Sequence, residues 1–185
     1  MSDMKERMLR GEPYLVDEEL RADHARAMAL LERFNASPHV DRERRDAILR
    51  ELLGQVGEDV VIRPSFHCDY GTQISIGAGT FVNFDCVMID VAPIRIGEAC
   101  QIATKVQLLT AAHPIEPEPR REGWESGEPI TIGDNVWLGG GVIVCPGVTI
   151  GDDTVVGAGA VVTSDLPARV VAVGVPARVQ REIGD

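Results

Sequence analysis

A mainly β fold, a parallel β-helix preceded by a small helical unit, is what this sequence predicts, and three observations predict it. Ile132, Leu138, Val144, Ile150, Val156 and Val162 stand six residues apart without a slip, and Gly133, Gly139, Gly151 and Gly157 follow four of them. Val136, Val142 and Val148 occupy a second position in the same frame. An earlier block obeys the rule at Ile76, Val82 and Met88 and, after a two-residue slip, at Ile96, Ile102 and Leu108.

A period of six excludes an α-helix, whose apolar stripe recurs every 3.6 residues, and it is too long for the alternation of a plain strand. Each unit is therefore a short strand plus a turn. Stacked units cover one another's apolar faces, and glycine permits the tight corners. The aliphatic columns are core, whereas Asn135, Asp152 and Asp153 fall where exposed turns belong. Chemistry is expected where the repeat breaks.

Ahead of the repeats, residues 17–53 carry apolar residues at helical spacing, with Ala27, Leu30, Leu31 and Phe34 on one face and Ile48, Leu49, Leu52 and Leu53 on another. Two helices are predicted, separated by turn formers from Asn35 to Pro38, with Asp41 as an N-cap and Gly54 as a stop. The helical unit is assigned to residues 1–55 and the β-helix to residues 56–185. The repeat is broken by LLTAAHPIEPEPRREGWESGEPITIG, where about twenty polar, Pro-rich residues intervene before the frame resumes at Ile132. This is an excursion loop, assigned to residues 109–131, with His113 at its entrance.

Composition narrows the function classes. The chain has 185 residues, 44% hydrophobic and only 4% aromatic, so its core is built of small aliphatic side chains. A formal charge of −11 argues against nucleic-acid binding, which needs clustered Lys and Arg over a large face. No apolar run approaches the roughly 20 residues of a membrane span, and the N-terminus lacks a secretory segment, so a cytoplasmic protein without a membrane partner is expected. Cys68, Cys86, Cys100 and Cys145 form neither a CxxC pair nor a dense framework and read as reduced, buried hydrophobes. His24, His39 and His67 read as surface or interface residues, and four scattered histidines disfavour a three-ligand zinc site.

The hexapeptide repeats, the segment FHCDYGTQISIG, the TAAHP loop and the terminal GVPARVQREI together resemble the maltose and galactoside O-acetyltransferases of the hexapeptide-repeat superfamily, over almost the whole chain. That resemblance implies a left-handed β-helix, an N-terminal maltose-acetyltransferase-type unit, a C-terminal segment over residues 175–185 with a short helix, and a homotrimer with active sites between subunits. Left-handed crossovers run against the general rule for parallel strands, so the hand comes from the resemblance alone.

The implied activity is acetyl-CoA-dependent transfer of an acetyl group to a sugar hydroxyl, without a metal. His113 matches the catalytic base and Asn83 a residue placed to bind acceptor or acetyl group beside it. Asp17, Arg26, Asp69 and, less directly, Asp90 match acceptor-binding positions. Trp124, in the exposed loop, is expected to stack on a sugar face or to pack against the neighbouring subunit, and Glu125 stands where the galactoside enzyme carries methionine. Trp137, Gly140, Ala158, Thr163, Arg178 and Arg181 match the coenzyme A path, with Ser164 in place of a common lysine. Other acceptors compatible with the same scaffold are serine, an antibiotic or a nodulation-type oligosaccharide. A reading from another class is a non-catalytic trimeric scaffold.

Overall fold

The strands are too short to form sheets alone, and their backbone hydrogen bonds run from one coil to the next. In the computed structural model, which describes residues 1–38 and 40–184, Ile76, Ile96, Ile132 and Ile150 lie in one file of parallel neighbours. Val82, Ile102, Leu138 and Val156 form a second file, and Met88, Leu108, Val144 and Val162 a third. Every one of these side chains is at most 4% exposed. Burying an aliphatic side chain contributes roughly 1.5–3 kcal/mol, against about 1 kcal/mol net for a hydrogen bond, so the files dominate the stability of the stack.

The three files define three faces. Face 1 carries Gln55–Val56, Ile74–Ile76, Ile94–Ile96, Ile130–Ile132 and Thr149–Ile150. Face 2 carries Val61–Ile62, Phe81–Val82, Gln101–Ile102, Trp137–Leu138, Val155–Val156 and Val170–Val173. Face 3 carries Phe66–Cys68, Cys86–Ile89, Gln107–Leu109, Ile143–Val144 and Val161–Val162. At the corner from face 1 to face 2, Asn135 and Asp153 take left-handed φ of 53° and 56°, which Asn and Asp tolerate better than most residues. At the corner after face 2, Gly139 follows a different rule: a Cβ there would sit 2.5 Å from the Ala158 nitrogen of the next coil. Coil spacing, rather than φ, demands that glycine.

Three helices precede the stack: α1 (Asp3–Leu9), α2 (Glu18–Asn35) and α3 (Arg42–Leu52). The last two match the helical spacing, and Asp41 caps α3 by accepting from the Arg44 amide at 3.2 Å. α1 was not expected; its seven residues are capped by the Ser2 hydroxyl. Ala27, Leu30, Leu31, Phe34, Ile48, Leu49 and Leu52 join the same apolar cluster as the β-helix interior, so the helices cover its first coil. Asn35 fastens the two parts, its side chain donating to the Phe66 carbonyl and accepting from the Phe66 amide, each at 2.9 Å.

Two features differ from the sequence-based expectation. The short C-terminal helix is absent among the described residues: Arg178–Glu182 is a strand, antiparallel to Val170–Val173 at the end of face 2. An edge left open by the last coil offers backbone hydrogen bonds that a helix could not use. The short helix is instead α4 (Pro117–Arg121), within the excursion loop. Cys68, Cys86 and Cys100 are buried and Cys145 half-buried, all as free thiols, while His39 lies outside the described residues.

Val144 is 0% exposed between coils. Val144→Asp inserts a charge with no partner there, a cost of several kcal/mol, and is expected to abolish the cooperative thermal transition by circular dichroism. A melting curve like that of the wild type would refute the repeat register.

Candidate active site

The loop leaves the stack at the corner between faces 3 and 1. Ala111–Ala112 pairs antiparallel with Ser126–Gly127 to form its neck, and Ile130 returns to stack on Ile94. The loop then folds against the N-terminal segment of its own chain. Tyr14 and Glu125 exchange backbone hydrogen bonds of 2.9 and 3.0 Å, and the Tyr14 hydroxyl donates to Glu125 Oε2 at 2.9 Å. Beneath this contact Met8, Tyr14, Leu20, Tyr70 and Val91 form a second, smaller apolar cluster. Burial of Tyr14 pushes its phenol well above the ordinary range, so it stays a donor.

His113 is exposed at the loop entrance, with Nδ1 3.4 Å from the Trp124 carbonyl oxygen. That acceptor selects the tautomer protonated on Nδ1 and leaves Nε2 with a free lone pair. The Trp124 side chain is occupied elsewhere: Arg7 lies 5.6 Å over its ring and Nε1 donates to Glu122 at 3.2 Å. Its backbone carbonyl is what faces the histidine.

Beside the loop is a cleft lined by Val16, Arg21, His24, Asp69, Tyr70, Val91 and Glu125. Burial raises the Asp69 carboxyl above its usual range, with His24 opposing the shift. Of the expected acceptor residues, only Asp69 lines this cleft. Arg26 faces a neighbouring hollow with Lys5, Asp23, Thr72 and Gln73, on the other side of Tyr70. Asp17 lines neither; its carboxylate accepts from the Leu20 amide at 3.0 Å, caps α2, and is thereby held below the usual carboxylate range.

His24, expected as a surface or interface residue, lines the cleft. It edges the Tyr70 ring at 6.2 Å and meets the Asp69 carbonyl at 3.0 Å. The helical period held the signal, since Arg21 and His24 are three apart and share the face of α2 that turns to the cleft, whereas Arg26 lies with Asp23 on the next.

Asp90 does not reach the cleft. It is 0% exposed, and its carboxylate accepts from the amides of Asp69, Tyr70 and Gln73 at 3.0, 2.8 and 3.3 Å. It holds the turn that presents Asp69.

The remaining expected residues occupy another part of the prism. Asn83, Gly140 and Ala158 follow face 2 strands, at the corner between faces 2 and 3. Trp137 projects from face 2, 54% exposed, over a cleft shared with Phe81, Asn83, Gln101, Ile102 and Ala103. Arg178 and Arg181 lie exposed on the terminal strand of the same face, their guanidinium groups donating to the Ala177 and Glu182 carbonyls, respectively. Thr163, by contrast, follows a face 3 strand at the corner shared with the loop. The expected residues therefore fall into two groups at different corners of the prism.

Burial pushes the Asp90 carboxyl up to about 6, against its amide bonds. A carboxyl raised above its unfolded value near 4 binds its proton more tightly when folded, so this group's contribution to stability falls as pH rises from about 4 to about 6 and is constant above. Relative to Asp90→Asn, the wild type should lose up to about 1.4 kcal/mol per pH unit in that window, measured by urea denaturation. A pH-independent difference would contradict the raised value.

Known proteins match the chain in its helical unit, its repeats and its fold. Residues 7–57 match the maltose acetyltransferase hexapeptide capping motif, and residues 129–164 match six repeats of the bacterial transferase hexapeptide. Nodulation protein L of Rhizobium meliloti (strain 1021) is 52% identical over 95% of this chain and 97% of that protein. The crystal structure of a maltose O-acetyltransferase from Clostridium difficile 630 superposes with a TM-score of 0.98 at 45% identity, over 100% of this chain and 99% of that one. A galactoside acetyltransferase in complex with coenzyme A gives 0.95 at 40% identity, over 100% and 93%. With its capping unit and its repeats matched, and with the galactoside O-acetyltransferase of Escherichia coli (strain K12) 40% identical over 98% of this chain and 90% of that protein, the protein belongs to the maltose and galactoside O-acetyltransferase family and is an enzyme of the acyltransferase class.

Proposed function

We propose that the protein transfers the acetyl group of acetyl-CoA directly to a hydroxyl of a sugar, with His113 as general base. The observation that carries this is the His113 ring, whose Nδ1 faces the Trp124 carbonyl and whose Nε2 is left to accept a proton. Acetyl-CoA supplies the acetyl group as a thioester. His113 Nε2 takes the hydroxyl proton as the sugar oxygen bonds to the carbonyl carbon. The Gly140 N–H, which has no hydrogen-bond partner among the described residues, donates to the developing oxyanion. As the C–S bond breaks, the imidazolium returns its proton to the leaving sulfur. Trp137, Ala158, Arg178 and Arg181 hold coenzyme A along face 2, with Thr163 contributed from the adjoining copy and the two arginines meeting its phosphates; this is how a chain of charge −11 binds an anion.

The acceptor site in this reading is the cleft of Asp69, Tyr70, His24 and Glu125, whose carboxylates suit hydroxyl donors. A nodulation-type oligosaccharide is favoured as an alternative to maltose, glucose or a galactoside by the likeness to nodulation protein L.

A homotrimer with sites between subunits unites the two groups. Face 1 presents Ser75, Arg95, Thr131 and Thr149 outward, as a solvent face does, while face 2 presents Phe81, Trp137, Val155 and Val171 around Gln101, and face 3 presents Val87, Ile143 and Val161 with His67 and Gln107. In this reading three copies contact one another heterologously along the edges of faces 2 and 3, with His113 and Thr163 of one copy beside Asn83 and Gly140 of its neighbour.

Thiol release from acetyl-CoA, measured with maltose, glucose, a thiogalactoside, chitooligosaccharides and serine in turn, tests the reaction. His113→Ala should lower turnover at least ~100-fold with coenzyme A affinity unchanged; equal activity would remove His113 from the mechanism. The shared site predicts complementation. Trimers refolded from equal amounts of His113→Ala and Asn83→Ala chains should regain about a quarter of wild-type activity, since a quarter of their sites draw both intact residues. No recovery would put both residues in one subunit's site.

A further inference from the structure

Arg63 has no place in the reaction as described, yet it is tied to a residue that does. It follows the first face 2 strand, and its backbone N–H donates to the Val82 carbonyl at 2.9 Å, which sets Arg63 directly against Asn83 of the next coil. Its guanidinium carbon stands 5.0 Å from the centre of the Phe81 ring and 4.8 Å from that of Phe84. Two aromatic faces thus hold a planar cation in one orientation. From there Nη1 donates to Asn83 Oδ1 at 3.4 Å, while the Phe84 amide donates to the same oxygen at 2.9 Å.

Both donors fall on one end of the carboxamide, and that fixes its orientation: the flipped amide would set its NH2 against two donors. Asn83 consequently offers the cleft of Phe81, Ala103 and Trp137 an N–H donor and no free acceptor. A donor there meets a carbonyl or hydroxyl oxygen, so the group that Asn83 can serve is the acetyl oxygen or the acceptor oxygen. The Phe84 amide alone is a single local contact. The stacked arginine is the second, non-local one that locks the rotamer.

Resting on the proposed role of Asn83, we infer that Arg63 is a positioning residue for the acetyl-transfer step, holding the Asn83 carboxamide with its N–H toward the reacting oxygens. It touches neither substrate.

The test is a double-mutant cycle. Arg63→Met keeps an apolar stem between the rings and removes the guanidinium; Arg63→Lys keeps a stacked cation with a donor but loses the planar fork. Each is assayed for kcat and for the KM of acetyl-CoA, alone and, for Arg63→Met, combined with Asn83→Ala. Arg63→Met should lower kcat about tenfold, as loss of alignment at a reacting group does, with the acetyl-CoA KM within about twofold and the melting temperature retained. Arg63→Lys should recover part of the loss. The combined variant should be no slower than Asn83→Ala, because an orienting residue has nothing left to orient.

A further tenfold loss in the combined variant would show that Arg63 acts independently of Asn83 and overturn the inference. So would a raised acetyl-CoA KM with kcat intact, the signature of a direct phosphate contact. If Asn83→Ala is fully active while His113→Ala is not, the Arg63 role falls and acetyl transfer by His113 stands. If both are fully active, the proposed reaction falls with it.

Discussion

Coil-on-coil stacking is the constraint on which the rest of this structure depends. Apart from the loop neck and the terminal antiparallel strand, the described strands pair with neighbouring coils, so each file of aliphatic side chains and each parallel ladder of backbone bonds exists only if the next coil keeps register. A slip of one residue would turn Leu138 out and Trp137 in. The register therefore fixes, at every level, which side chains face outward and at which corner a turn residue emerges. The geometry of the candidate site is inherited from it: Asn83, Gly140 and Ala158 follow strands of the same face in different coils, aligned by stacking.

The excursion loop is tolerated because it leaves and re-enters at one corner. Ile96 and Ile132 remain neighbours in the file despite the residues between them, so the insertion does not disturb the core. Freed from the stack, the loop can carry chemistry, but a loop alone would hold a base poorly. Its antiparallel neck, the paired backbones of Tyr14 and Glu125, and the apolar cluster around Met8 and Leu20 supply the rigidity. The N-terminal unit thus does two things. It covers the first coil through α2 and α3, and it braces the loop through Tyr14.

Polar groups near the candidate residues are arranged in the same spirit, each presented side chain oriented by a neighbour that is fixed in place. Asp90 gives its carboxylate to the turn that presents Asp69. The Trp124 carbonyl selects the His113 tautomer, and Arg63 with the Phe84 amide settles the Asn83 carboxamide. In each case the supporting group spends its hydrogen bonds on structure, which leaves the presented group with one defined chemical face.

By itself the sequence determined the period-six core, the pair of helices α2 and α3, the place of the loop and the histidine at its entrance, because these are statements about spacing along the chain. It also carried the family, through motifs that lie within contiguous segments. What it could not determine was which side chains share a cleft. Asp17 and Arg26 keep a plausible separation, but the first is a helix cap and the second lies on the neighbouring helical face, and His24 takes the position facing Asp69. The C-terminal strand was equally hidden, since Arg178–Glu182 pairs only because the last coil leaves an open edge. The separation of His113 from Asn83 is likewise a property of the prism's corners and not of the chain. Such relations depend on contacts between residues distant in sequence, and only the folded stack brings those residues to a common surface or keeps them apart.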